Sequence, residues 1–219
     1  MRSKAPSGGS RRTPRPRDTY RHGDLRRALV EAGVALANEA GPAAVTLREA
    51  TRRAGVVPNA AYRHFKSHAG LMDAVRDAAL AAMAVTMEKH LRVLGPPRAD
   101  VDYARATLRA VGMGYLHFAL KKTGLFRTAF VVQFDVSPPS PDKAGATGLN
   151  PFQLLSAALD RLAACGALSP DRRPGAEYLA WSAVHGLALM SIDGPLRRLS
   201  NAQFESLAAR LLHMVEQGI

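Results

Sequence analysis

Residues 46–65, TLREATRRAGVVPNAAYRHF, decide the fold. Thr46 and Glu49 stand three apart at the head of a helical stretch. That is the spacing of a capping box, in which the Thr hydroxyl accepts from the Glu amide and the Glu side chain accepts from the Thr amide. The helix should end near Ala54, because Gly55 can adopt the left-handed conformation common just past a helix end. Gly55-Val56-Val57 is then a turn, and Pro58 suits the first position of a new helix, where an N–H would be unpaired anyway. The spacing predicts a very short helix from Pro58 to about Phe65. Val57 cannot accept from its free amides, so about 1 kcal/mol of capping is missing. Two helices of under ten residues joined by a three-residue turn with Gly form a helix-turn-helix, which sets its second helix into the major groove of DNA.

Upstream, Leu25, Leu29, Ala32 and Leu36 recur at three and four residues, giving a first helix from Asp24 that Gly41-Pro42 stops. Residues 1–23 hold seven Lys/Arg among Ser, Gly and Pro with no apolar cluster, and read as a disordered basic tail. No apolar stretch follows the basic start, so no signal peptide is expected and the cytoplasm is the default compartment.

Downstream, a long helix is expected from about His68 to Leu91, with Leu71, Val75, Ala78, Ala82 and Val85 as its stripe. Residues 100–122 are apolar on two sides, with Leu108, Val111, Tyr115 and Phe118 on one and Met113, Leu116 and Leu120 on the other, as in a buried helix. Gly124 to Phe134 suits another helix, although Phe130-Val131-Val132 also suits a strand. Residues 135–149, rich in Pro, Gly and Ser, read as a long loop, mobile or a lid. Asn150-Pro151-x-Gln153 caps a helix to about Cys165. A further helix carries Tyr178, Trp181, His185 and Ala188 on one face and ends at Gly194-Pro195. Ser200-x-x-Gln203 caps the last, with Phe204, Leu207, Leu211 and Val215 inward. The expectation is an all-α chain of about nine helices: a tail at 1–19, a three-helix DNA-binding domain at 20–66, and a larger effector-binding and dimerisation domain at 67–219.

Charge agrees with that division. Of a formal net charge of +12, residues 1–68 carry +9 and residues 69–219 carry +3. Lys and Arg that neutralise phosphates release counterions, so nucleic acid is the natural partner; the bland alternative is a solubilising tail. Arg11, Arg12, Arg15 and Arg17 can enter a minor groove or stay solvated. The apolar runs are too short and too interrupted by charge to span a membrane. The single Cys165 excludes an internal disulfide and a cysteine zinc site. No nucleotide-binding Gly loop or His-Glu-x-x-His motif occurs, so neither an enzyme nor a cofactor or metal is expected. A non-specific architectural DNA binder is the alternative function, but it would leave the nearly neutral C-terminal region without a task.

Ala54-Gly55-Val56, then Ala61-Tyr62-Arg63-His64-Phe65-Lys66, then Leu71 resemble the TetR family of bacterial transcriptional regulators in their spacing. Trp181-x-x-x-His185-Gly186-Leu187 and Tyr20-Arg21-His22-Gly23-Asp24-Leu25 resemble a subgroup named for its Trp, His and Gly. The resemblance implies a homodimer joined through its last two helices, and a repressor released from a palindromic operator when a small molecule enters the C-terminal domain and moves the fourth helix. The chain departs from the family at Val57, where Ser or Thr usually caps; at His68, where Lys is usual; and at Ala69-Gly70, where an acidic pair is usual.

Tyr62, His64 and Lys66 are expected to touch phosphates and so set the register of the helix in the groove. Asn59 lies in the first turn, where it either pairs with adenine or caps its own helix. Arg63 reaches a base or a phosphate, or faces solvent. Thr46 is an N-cap whose helix end can also hold a phosphate. Arg48, Pro58, Ala60 and His68 complete the expected DNA-facing set, while Phe65 is assigned to the core. For the effector, the expected lining is Met113, Tyr115, His117, Phe118, Trp181 and His185, against the plainer reading that these residues pack the core or an interface.

Overall fold

The computed structural model describes residues 22–131 and 141–219. Among them are nine α-helices and no strand: α1 (His22–Ala40), α2 (Leu47–Ala54), α3 (Pro58–Ala61), α4 (His68–Arg92), α5 (Val101–Lys121), α6 (Thr123–Ala129), α7 (Pro151–Ala164), α8 (Ala176–Ile192) and α9 (Asn201–Gly218). The basic tail and residues 132–140 lie outside the described residues. The helix expected from Gly124 to Phe134 stops earlier: α6 ends at Ala129, and Phe130 closes it by donating to the Arg127 carbonyl. No described helix is long and apolar enough to cross a membrane.

Leu29, Ala32 and Leu36 of α1 are buried with Val45, Ala50, Ala61 and Phe65, which makes the small N-terminal core. Local chemistry sets its corners. The Thr46 hydroxyl accepts from the Glu49 amide at 3.1 Å. The capping box is only half formed, because Glu49 turns instead to the Arg52 guanidinium at 2.8 Å. Gly55 takes φ 70°, the left-handed turn an L side chain resists. Arg53 grips Glu39 with both guanidinium nitrogens, at 2.7 and 2.5 Å, and so fastens α2 to the end of α1.

α3 is shorter than the spacing predicts, ending at Ala61 rather than near Phe65. Its start has no side-chain cap, and the amides of His64 and Phe65 both converge on the Ala61 carbonyl, closing the chain into a turn. α4 then opens on Ser67, whose hydroxyl accepts from the Gly70 amide at 3.2 Å.

The buried stripe of α4 is Leu71, Val75, Ala79, Met83 and Met87, flanked by Met72, Leu80 and Ala84. Ala78, Ala82 and Val85, expected inside, are only half-buried. So many of its residues are small and apolar that periodicity alone cannot fix the face. α4 and α5 are the central pair. Gly114 lets them meet, since a Cβ there would stand 2.6 Å from the Met87 Cα. α6 returns against α1, and a Cβ on Gly124 would lie 2.1 Å from the Ala37 carbonyl oxygen. In α9 the inward set is Phe204, Ala208, Leu212 and Val215, while Leu207 and Leu211 are half-buried. In α8 Tyr178 is exposed, and Ala180, Val184, Leu187 and Ala188 face inward.

The C-terminal end of the long loop is tied down, not loose. The Glu88 carboxylate, 4% exposed on α4, accepts from the amides of Ala146 and Thr147 at 2.9 and 2.8 Å and from the Thr147 hydroxyl at 2.6 Å. Burial alone would raise its pKa, but these donors together with the Arg92 charge hold it below the usual carboxylate range. A depressed folded-state pKa contributes stability above the unfolded value, and that contribution is lost as pH falls through the folded one. Glu88→Gln replaces one acceptor by a donor facing N–H groups, and should cost about 1–3 kcal/mol at neutral pH. Urea unfolding at pH 7 and in steps below pH 4.5 checks this: the gap between wild type and Glu88→Gln should narrow in acid. A gap that is absent at pH 7 would show that the clamp contributes nothing.

Candidate nucleic-acid interface and internal cavity

The helix-turn-helix presents two sides. Ala50, Thr51, Ala61 and Phe65 are buried. Arg48, Asn59, Tyr62, Arg63 and Lys66 are exposed, with Tyr62 at 56% despite its large ring. An aromatic ring left that open just past the end of a short helix is available to a partner. Thr46, Ala60 and His64 are half-buried, and Pro58 is exposed at the start of α3. His68 is exposed, but its Nε2 meets the Val45 carbonyl at 2.6 Å, so the ring ties the start of α4 to the approach to α2. Arg26 lies 5.4 Å over the Phe65 ring and adds positive charge beside this core. Donors with rotatable ends, a guanidinium and an ammonium suit a polyanion, and a half-open short helix suits a groove.

A cavity lies among α4, α5, α7, α8 and α9. The space open to the centre of a water-sized sphere is about 60 Å³, where roughly 10–15 Å³ is enough for one water. Its wall is apolar and aromatic: Met83 and Met87, Val111 and Tyr115, Phe130, Phe152 and Leu155, Trp181 and Val184, Leu212 and Val215, with Lys143 and Asn150 as its polar members. The Trp181 indole N–H donates to the Tyr115 hydroxyl at 3.1 Å, and that hydroxyl lies 2.7 Å from His185 Nδ1. Trp can only donate, and the Tyr115 proton has no other acceptor among the described residues, so it goes to Nδ1 and the His185 proton sits on Nε2. Burial lowers the His185 pKa and raises that of Tyr115, so both groups are neutral.

The expected lining is thus divided. Tyr115 and Trp181 are in the wall, with His185 joined to them through the hydroxyl. Met113 and Phe118 lie outside the wall, the latter 2% exposed in the core. His117 points elsewhere, because residues two apart on a helix diverge by about 200°. Its Nε2 meets Glu205 at 2.7 Å and its Nδ1 meets His90 at 3.1 Å, which joins α4, α5 and α9. Burial, with the positive charge of His117 and Lys121, lowers the His90 pKa against the pull of Glu205. Sequence spacing missed Phe130, Phe152 and Asn150. Each lies at or beside a helix end next to the long loop, and Asn150 was legible only as a cap.

α8 and α9 leave one face open. Tyr178, Leu179, Leu189, Met190 and Met214 are all exposed.

Two family profiles match the chain. The one described as bacterial regulatory proteins, tetR family, covers residues 29–75. The one described as tetracyclin repressor-like, C-terminal domain, covers residues 108–215. No curated protein matches. Among solved structures, a protein of unknown function from Rhodococcus sp. RHA1 superposes with a TM-score of 0.70 at 21% identity, covering 93% of this chain and 99% of that one. A candidate regulatory protein superposes at 0.54 and 18% identity over 91% of this chain and 100% of its own. A TetR transcriptional regulator from Rhodococcus sp. RHA1 reaches 0.47 at 20% identity, over 90% and 98%. The first two likenesses show a shared fold.

Proposed function

Because the chain belongs to the TetR family of bacterial regulatory proteins, we propose that it is a sequence-specific DNA-binding repressor, released when a small molecule enters the cavity. The observation that carries the DNA half is the exposed row Asn59, Tyr62, Arg63 and Lys66 beside a packed helix-turn-helix core. In this reading residues 20–66 read DNA and residues 67–219 bind the effector and dimerise, in the cytoplasm. Tyr62, His64 and Lys66 contact phosphates, with Thr46 and Arg48 at the start of α2. Asn59 and Arg63 meet base edges, and Pro58 and Ala60 let the backbone approach. His68, occupied by Val45, positions the start of α4. The hydrogen-bonded Trp181–Tyr115–His185 set supports assigning the C-terminal part to the Trp-His-Gly subgroup. The effector acts only if it favours the conformation that does not bind DNA, since equal affinity for both conformations shifts nothing.

Selection from a randomised duplex pool tests this reading, and should enrich a palindrome. Equal affinity for all sequences would favour the architectural alternative. On the enriched site, Tyr62→Phe should weaken binding uniformly across sequence variants, because phosphate contacts fix position and not identity. Asn59→Ala should change preference at one position per half-site by about 1–3 kcal/mol. An unchanged ranking of operator variants in Asn59→Ala would remove Asn59 from the base contacts.

A further inference from the structure

The cavity wall is almost wholly apolar, so its few polar atoms decide what it selects. The Tyr115 hydroxyl is committed to Trp181 and His185. Lys143 is only half-buried, and it is its long stem that can line the wall. Asn150 is different. It is 3% exposed, yet it lines the cavity. Its Oδ1 accepts from the Gln153 amide at 2.9 Å, completing the cap of α7. That bond fixes the orientation of the side-chain amide, since only the carbonyl oxygen can accept from an N–H. The Nδ2 group is thereby turned the other way, with no hydrogen-bond partner among the described residues. Nor is it sealed in, because the one sealed and unsatisfied side-chain polar atom among the described residues is the Ser191 hydroxyl. A buried donor that open space reaches is satisfied by water or by a ligand acceptor.

We propose that Asn150 Nδ2 is the polar reading head of the cavity, and that the effector is an uncharged aromatic carbonyl compound. Its oxygen accepts from Asn150, and its ring lies among Tyr115, Phe130, Phe152 and Trp181. The aromatic walls already meet each other edge-on or tilted, with Phe130 6.0 Å and Phe152 6.3 Å from Trp181 between ring centroids. That geometry offers both faces and edges to a further ring. A carboxylate would have to shed its water in an apolar wall with one neutral donor, which disfavours it. The proposal rests on reading the cavity as the effector site.

Three probes of nearly equal size separate the possibilities: acetophenone, ethylbenzene and benzoate. Calorimetric titration of the full chain gives each Kd, and the fluorescence of Trp181, the sole tryptophan, reports occupancy at the wall. Acetophenone should bind about tenfold more tightly than ethylbenzene, the size of one well-made buried hydrogen bond, and benzoate should bind most weakly. Asn150→Asp keeps a capping oxygen and removes the donor, and Asn150→Gly removes the donor without adding a charge and with little loss of capping. In either variant the acetophenone preference over ethylbenzene should collapse to about one while ethylbenzene affinity holds in Asn150→Gly. Ethylbenzene equal to acetophenone in the wild type, or a preference that survives both variants, overturns the assignment of Asn150 and leaves the cavity reading standing. Benzoate as the tightest ligand overturns it in favour of an anion at Lys143. No binding of any probe removes both this proposal and the effector reading on which it rests.

Discussion

A chain carrying Gly114→Ala should unfold roughly 5–10 °C below the wild type. Ala normally stabilises a helix interior over Gly by about 1 kcal/mol, so the sign of the effect is informative. At Gly114 the added methyl would stand 2.6 Å from the Met87 Cα and 3.2 Å from its amide nitrogen. Both are backbone atoms inside a 25-residue helix and cannot swing aside. α4 and α5 must therefore part, and overpacking of that kind costs about 1–3 kcal/mol or more. Each kcal/mol moves the midpoint by about 2–4 °C in a chain of this size. Gly70→Ala is the control. Its nearest neighbours, Ser67 Oγ and Phe65 Cδ1, would be 3.8 and 4.0 Å away, so helix propensity acts unopposed and the midpoint should rise slightly. Differential scanning calorimetry on both variants decides the matter. A Gly114→Ala midpoint at or above that of wild type would mean that the two helices do not approach so closely. Met87 also lines the cavity, so the same variant should bind effectors poorly.

Leu179→Lys should abolish operator binding without touching the DNA-reading surface. Leu179 is 62% exposed on α8, next to Tyr178 at 56% and on a helix that also exposes Leu189 and Met190 at 43% and 46%. An apolar face of that extent on the last two helices fits the two-fold interface proposed for a family regulator. Two-fold symmetry places the substitution twice in one interface, and each buried, unpaired ammonium costs several kcal/mol. The loss should therefore exceed about a thousandfold in dimer affinity. Light scattering should report about twice 23.5 kDa for the wild type and 23.5 kDa for the variant, while circular dichroism keeps its helical signal. A short recognition helix reads only a few base pairs, so a monomer loses the palindrome. A Leu179→Lys chain that stays dimeric would put the interface elsewhere.

The DNA-reading part was the most legible because its signals are local. Thr46, Gly55 and Pro58 each act on their own few neighbours, and each ended up at the corner it announced. The same holds for the Asn150 and Ser200 capping boxes, both fully formed. Where the reading failed, a nearby competing partner took the group or the residue type did not discriminate inside from outside. Glu49 was drawn to Arg52, and α3 was shortened where His64 and Phe65 share one carbonyl. The face of α4 was misjudged at Ala78 and Ala82, since Ala is nearly as content outside as inside. The cavity was the least legible. Tyr115 and Trp181 could be picked out as aromatics at helical spacing. Phe130 and Phe152 flank the long loop and meet only in three dimensions, and His117 follows Tyr115 by two residues but faces a different helix.

The contact of Gly124 with the Ala37 carbonyl limits how freely this protein could exchange parts with its relatives. A reading domain grafted at the 66/67 junction would arrive with its own α1, and α6 of this chain would have to seat on it. Only a donor whose first helix leaves room for so close a backbone approach at the same height would accept that seat. The α1–α6 seam is therefore a compatibility lock: hybrids that respect it keep the two parts seated on each other, and hybrids that break it lose that backbone contact.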